Sequence, residues 1–374
     1  MNRNWKEVFY WFHEHPELGY EEHGTTQKIR EILENNNIEI VETGLSTGVI
    51  AVVRGNTGGK SVAFRADIDA LPIEEQTGVS YASAHNGIMH ACGHDFHITV
   101  ALAAAVRLQE KRKELSGNLF FIFQPGEEVA DGAKTVIQTG ILKDVEEYYA
   151  FHADPALPVG TVGIKKGTIM AAVDKFKVTI EGKGAHAAMP YLGNNPIPVM
   201  AQMILALQTS VPQKIPAVHP SVLSVTHVCG GNTWNVIPEN IFFQGTMRSI
   251  LSEERISMKE RFVTIVQEFA KMNDMKEHIE WHEGPAPIIN DEELCNTIER
   301  IAIKNHLDIR QVETNMISDD FSSYLEASKK ASGMYLKIGT GEGYPLHNSR
   351  FSIDTAAIEI AVQLLNDILL EAVG

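Results

Sequence analysis

Residues 89–97, MHACGHDFH, gather His90, Cys92, His94, Asp95 and His97. A thiolate and an imidazole two positions apart, as at Cys92 and His94, project to the same side of an extended chain. Such a pair is half of a site for a borderline-soft cation such as zinc. The same residues also fit a buried thiol beside surface histidines, and the cluster alone does not choose.

Two further stretches bear on that choice. In FIFQPGEEVADGA an apolar run ends at Gln124, and Glu127 and Glu128 follow side by side. Adjacent carboxylates can divide labour, one ligating a metal while its neighbour faces a bound water. Alone, the pair reads better as a solvated acidic loop. In YYAFHAD, His152 closes another apolar run. A lone histidine there is often structural, but all three groups fall at strand ends, where open α/β sheets collect ligand-binding residues.

The elements that must position these groups can be read from periodicity. Trp5, Val8, Phe9 and Phe12 follow the spacing of a buried helical face, and a second helix fits Thr25 to Leu33. Runs at 38–43, 49–54, 61–66, 119–123 and 148–152 read as strands. Helices suit 96–112 and roughly 131–140. This alternation predicts an α/β layer with a largely parallel sheet. The texture changes near Val173: DKFKVTIEGKG alternates apolar and polar residues, followed by a helix at 195–210, a long strand at 235–248 and a helix at 252–272. After Pro285 the first texture returns, with helices near 291–306 and 354–370 and a strand near 333–338. The expected architecture is an α/β domain from residues 1–172 and 285–374, with a smaller α+β domain inserted at 173–284.

Composition narrows the class. The chain has 374 residues, and 48 acidic against 32 basic side chains give a net charge of −16, spread along the chain. That charge argues against nucleic acid and anionic membranes as partners. Cys92, Cys229 and Cys295 are an odd number without framework spacing, which suits a reducing cytoplasm. Cys229 and Cys295 are expected to be buried small apolar groups. The first 18 residues offer no uninterrupted signal-peptide core, and no apolar run is long enough to span a bilayer. The expectation is a soluble, unprocessed, cytoplasmic chain.

An ordered series of motifs then carries a resemblance. HEHPELGYEE at 13–22, FRADIDALPIEE, MHACGHD, FQPGEE, GKGAHAAMP, GGNTWNVIPE, GTMRS and SDDFSSY occur in sequence over nearly the whole chain. Together they resemble the M20 family of metallopeptidases and aminoacylases. The similarity is to its amidohydrolase branch of hippurate hydrolases, auxin-conjugate hydrolases and N-acetyldiaminopimelate deacetylases. The resemblance implies a mixed-sheet catalytic domain of zinc-peptidase type with an inserted lid and dimerisation domain.

It further implies a site for two divalent ions per subunit, held by Cys92, His94, Glu128, His152 and His347, with Cys92 as a bridging thiolate. Zinc is favoured by the thiolate, with manganese, cobalt or nickel as alternatives. Asp67 is expected to orient a ligand. Glu127 corresponds to the general base that takes a proton from water and passes one to the leaving nitrogen. His186 and Asn235 match donors to the oxyanion, with His186 reaching across a homodimer. Arg248 matches the binder of the substrate carboxylate. The implied activity is hydrolysis of N-acyl amino acids, with N-acetyldiaminopimelate as the alternative substrate. A silent metal- or ligand-binding protein is the alternative of another class, against which the presence of Glu127 argues. Two positions depart from the pattern: Asp319 stands where relatives usually carry glutamate, and VADGA follows the glutamate pair where many have a glycine-rich stretch.

Overall fold

The computed structural model describes residues 4–56, 58–328 and 331–374. Residues 1–3, part of the stretch read above for a signal peptide, lie outside the described residues. The chain divides into two compact units, one of residues 1–169, 289–313 and 319–374, the other of 170–288 and 314–318.

The first unit is built on an eight-stranded mixed sheet. Its strands run in the order Glu39–Val41, Val49–Arg54, Asn118–Gln124, Ser61–Asp67, Glu147–Asp154, Ser332–Gly339, Thr161–Ile164 and Asp308–Gln311. The expectation of a largely parallel sheet needs correction. Four neighbouring pairs are parallel, but Val49–Arg54 runs antiparallel to both its neighbours and Ser332–Gly339 antiparallel to Thr161–Ile164. Short connections replace helical crossovers on both sides of the central strands, and short connections allow antiparallel pairing.

Alternation along the central strands sorts the side chains. Phe64, Ala66, Tyr149, Phe151, Leu336 and Ile338 enter the large apolar core, together with the helices Trp5–Glu14, His94–Glu110 and Ala356–Val373. Their strand neighbours Arg65, Asp67, His152, Tyr335 and Lys337 therefore face the opposite side of the sheet. The helix His94–Glu110 is buried almost all round, and its run of Ala101 and Ala103–Ala105 has little side-chain bulk to keep neighbours away.

The second unit has a four-stranded antiparallel sheet in the order Ser221–Gly230, Asn240–Ser249, Ala172–Glu181, Lys276–Glu283. Phe176, Val178 and Ile180 alternate with more exposed Lys175, Lys177 and Thr179, and they pack with Met203, Leu207, Phe262 and Val266 from the helices Pro196–Ser210 and Ser252–Met272. The long strand expected at 235–248 is broken after Ile237, because Pro238 supplies no ladder donor. Cys229 also differs from expectation: it is exposed, since the strand passes a register shift between Val225 and His227 and its end leaves the core. Cys295 is buried as expected. Among the described residues no helix is long and apolar enough to cross a membrane.

Candidate metal centre

Five side chains from four stretches of the first unit bring ligand atoms together. Cys92, His94 and His152 form one cluster, and Cys92, Glu128 and His347 form a second, so the thiol belongs to both. The Cys92 Sγ lies 3.4 Å from His152 Nε2 and 3.3 Å from His347 Nε2. Glu128 Oε1 lies 3.5 Å from His347 Nε2 and 4.0 Å from His94 Nε2.

Local backbone geometry creates this convergence. Cys92 and His94 do not lie on an extended segment, as their spacing suggested. Gly93 takes φ +87° and His94 opens the helix that follows, so a left-handed turn brings the pair together. A Cβ on Gly93 would stand 3.0 Å from the Cβ of Ala153 on the strand that carries His152. His347 also has positive φ, at +62°, and its backbone N–H donates to the Ala91 carbonyl at 2.8 Å. That bond ties the third histidine to the cysteine's own segment.

The donor set fits metal ions. His94 Nδ1 donates to the Asp69 carbonyl and His152 Nδ1 to the Ala153 carbonyl, each at 2.8 Å. In both rings the hydrogen bond at Nδ1 leaves Nε2 with a free lone pair. His94 Nε2 and Glu128 Oε1 are buried without a hydrogen-bond partner among the described residues. Buried polar atoms left in this way are costly, and a coordinated cation satisfies both. Burial pushes the Cys92 thiol up, so a cation is also what would hold it as thiolate.

A comparison with known proteins now has a geometry to meet. The family model for peptidase family M20/M25/M40 matches residues 63–371. The chain belongs to this family. It is therefore a hydrolase that acts on amide bonds, with candidate ligands for a dinuclear centre. An N-acetyl-L-cysteine deacetylase of Bacillus subtilis (strain 168) is 43% identical over 346 residues, covering 92% of this chain and 82% of the relative. An N-acetyldiaminopimelate deacetylase of Leuconostoc mesenteroides is 32% identical, covering 96% of this chain and 94% of the relative. The crystal structure of a dinuclear metal-binding M20 peptidase from Bacillus subtilis matches with a TM-score of 0.89 at 35% identity, covering 99% of this chain and 97% of that one.

Beside the candidate ligands of this M20 chain stands Glu127, half-buried, with carboxylate oxygens close to those of Asp319 and Asp320. Burial and the negative charges of Asp319, Glu128 and Asp320 push its carboxyl well above the usual carboxylate range. A carboxyl group so placed holds a proton readily, which suits a group that must accept one and return it.

Under the centre runs a buried polar network, of which the sequence motifs single out Asp67 and Asp319. Arg65, 1% exposed, donates to Asp67 at 2.5 Å, to Asp320 at 2.7 Å and to Gln124 at 3.0 Å. Tyr335 donates to Asp319 at 2.6 Å and Tyr324 to Gln124 at 3.0 Å. Asp67 also meets His97 Nδ1 at 2.5 Å and stands 3.6 Å from His94 Nε2. Burial alone would raise the Asp67 carboxyl, but Arg65, His94 and His97 hold it well below its ordinary range. The available signal was Arg65 itself, a charge inside the apolar run SVAFRA. Asp69 was missed as well: its carboxylate accepts the Glu128 N–H at 2.9 Å while its carbonyl orients His94.

His186, Asn235 and Arg248 lie in the second unit. The strands Ala185–His186 and Val236–Ile237 pair, and Ala187 N–H donates to the Asn235 carbonyl at 3.0 Å, so the first two residues sit side by side. His186 is exposed, and its Nδ1 accepts from the Ala188 N–H at 3.1 Å. Arg248 donates to the Met316 carbonyl at 2.6 Å, and partial burial lowers its pKa.

Proposed function

We propose that the chain hydrolyses the amide bond of N-acyl amino acids, releasing a carboxylic acid and a free amino acid. The observation that carries this reading is the pairing of Glu128, turned into the cluster with Cys92 and His347, with Glu127 beside it within reach of the same His94. In this reading Cys92, His94, Glu128, His152 and His347 would hold two divalent ions, Cys92 belonging to both groups of candidate ligands. Bound there, the ions supply Lewis acidity that acidifies water and polarises the scissile carbonyl. Glu127 takes a proton from the attacking water and delivers it to the leaving nitrogen. Asp67, 3.6 Å from His94 Nε2 and bonded to His97, supports the ligand set from beside it, while the Asp69 carbonyl orients the His94 ring. His186 and Asn235 donate to the oxyanion, and Arg248 pairs with the α-carboxylate. Zinc is the metal a thiolate-containing set favours; manganese, cobalt and nickel are the alternatives.

The second reading within the class is N-acetyldiaminopimelate deacetylation, supported by relatives such as the Leuconostoc mesenteroides protein. The relative at 43% identity supports small N-acetylated amino acids of the N-acetylcysteine kind. A homodimer through the second unit belongs to the same proposal. Ser221–Gly230 is a sheet edge whose Thr226–Gly230 end is exposed, and a bare edge of that kind invites pairing with a second copy. A cytoplasmic location accords with the free cysteines.

The test is amino-acid release from N-acetyl-L-cysteine, N-acetyl-L-alanine, N-benzoyl-L-alanine and N-acetyldiaminopimelate, before chelation and after restoring zinc or manganese. Metal-dependent release is expected. Absence of release by protein holding both metals would favour a silent binding protein.

A further inference from the structure

Lys337 is a charged group beside this centre for which the mechanism above has no use. It lies on the strand Ser332–Gly339 and is only 7% exposed. In register it stands directly beside His152 on one side and Gly163 on the other. Met334, Leu336 and Ile338 enter the large core, so Lys337 and Tyr335 project from the face that also carries His152. Gly163 makes room for it: a Cβ there would stand 2.8 Å from the Lys337 Cβ, 2.8 Å from Val312 and 3.1 Å from Leu157. The lysine thus stands on the sheet face of the metal centre, beside the ligand candidate His152.

The ammonium at its end makes no hydrogen bond or ion pair with a described residue. The ionisable groups near it are Asp154, Cys92 and Asp319. Two of these are already engaged: Asp319 accepts from Tyr335 and the Phe321 N–H, and lies 3.0 Å from Arg65; Asp154 accepts from the Ala156 N–H. The thiol of Cys92 lies among the metal-ligand candidates. An ammonium that no described group holds, at the end of a side chain only 7% exposed, is left to pair with an anion that arrives from outside.

We propose that Lys337 binds a second carboxylate of the substrate, so that the preferred substrates are N-acyl amino acids with a negative charge beyond the α-carboxylate. The inference rests on the hydrolase reading. Lysine is a point charge with rotatable donors, which suits a carboxylate on a flexible arm. The extra charge can sit on the amino-acid side chain or at the far end of a dicarboxylic acyl group, and the experiment separates these sources.

Turnover of N-acetyl-L-alanine, N-acetyl-L-glutamate and N-succinyl-L-alanine is compared for metal-loaded wild type, Lys337→Met and Lys337→Arg, with metal content measured for each. The wild type is expected to favour one charged substrate over N-acetyl-L-alanine at least tenfold in kcat/KM. That ratio should fall at least tenfold in Lys337→Met, mainly through KM, and recover in part in Lys337→Arg. Preference for N-acetyl-L-glutamate assigns the side-chain source; preference for N-succinyl-L-alanine assigns the acyl source. A ratio within twofold of wild type in Lys337→Met overturns the proposal. So does an equal loss on all three substrates, which would assign the lysine to the α-carboxylate or to the charge balance around Cys92. Calorimetry of succinate against acetate on the same proteins reads the site without turnover. If nothing is hydrolysed the functional reading fails, while a succinate preference lost in Lys337→Met still upholds the anion site and an unchanged preference removes it.

Discussion

The carboxylate of Glu22 accepts the backbone N–H of Gly126 at 2.9 Å, and Gly126 directly precedes Glu127. Glu22 is fully buried, and Glu17 from the same N-terminal motif accepts from the N–H groups of Gly24 and Thr25 at the start of the next helix. The motif HEHPELGYEE therefore acts as a mount for the loop that presents the glutamate pair.

Removing this mount should loosen the loop without touching a ligand. Glu22→Ala leaves the buried Gly126 N–H unpaired, at a cost of about 1–3 kcal/mol. It is expected to lower kcat/KM about tenfold with both metals retained, whereas Glu22→Gln, which keeps an acceptor, should lose less. Denaturant unfolding and steady-state kinetics check this. Equal behaviour of the two variants would remove the hydrogen bond from the account.

Cys92 stands in both ligand clusters, so its loss should weaken metal binding more than the loss of a residue in one. Cys92→Ser is expected to reduce metal affinity at least tenfold, and His347→Ala to reduce it less. Metal titration of the chelated proteins followed by calorimetry gives the order. Unchanged stoichiometry and affinity in Cys92→Ser would contradict the bridging thiolate.

His13 gives a pH-dependent prediction. It meets Asp95 at 2.6 Å and Glu75 at 3.3 Å, and Asp95 lies in the first turn of the helix that begins with His94. Burial opposes its charge, but the two carboxylates outweigh burial and raise its pKa to about 9. Burial would likewise raise Glu75, yet His13 and its other donors bring it down to about 2. Because the folded histidine holds its proton more tightly than the unfolded one, its contribution is complete below about 6.5 and is lost as pH rises through about 9. On the acid side the Glu75 contribution is complete above about 4.5 and is lost as pH falls toward about 2. The stability gap between wild type and His13→Gln should therefore peak between these limits, at about 3 kcal/mol. Denaturant unfolding of the metal-free proteins across pH measures it; a gap that grows above pH 9 would contradict the pairing.

Much of the candidate site was legible in the sequence because Glu127 and Glu128 follow an apolar strand, His152 lies near the end of another and His94 opens a helix, and both patterns are periodic. Glu127, Glu128 and His152 could be placed at strand ends from FIFQ and YYAFH alone. What spacing could not show was the left-handed turn at Gly93, since any extended segment brings i and i+2 to one side as well. The antiparallel edges were hidden for a related reason: a short strand reads the same whichever way its neighbour runs. Arg65 and Lys337 were passed over because a single charge in an apolar run looks like a strand-end residue until the sheet buries it. Cys229 was misplaced because burial was inferred from its apolar neighbours in VLSVTHV, which lose the core after the register shift.

The central claim is that Glu127 moves the proton while its neighbour holds metal. Its most direct test is the turnover of Glu127→Gln, measured on protein shown to hold both ions, with the best substrate of the wild type. The account predicts full metal content and a loss of at least 100-fold in kcat, within the range that general acid–base catalysis contributes. Wild-type turnover by the metal-loaded variant would contradict it.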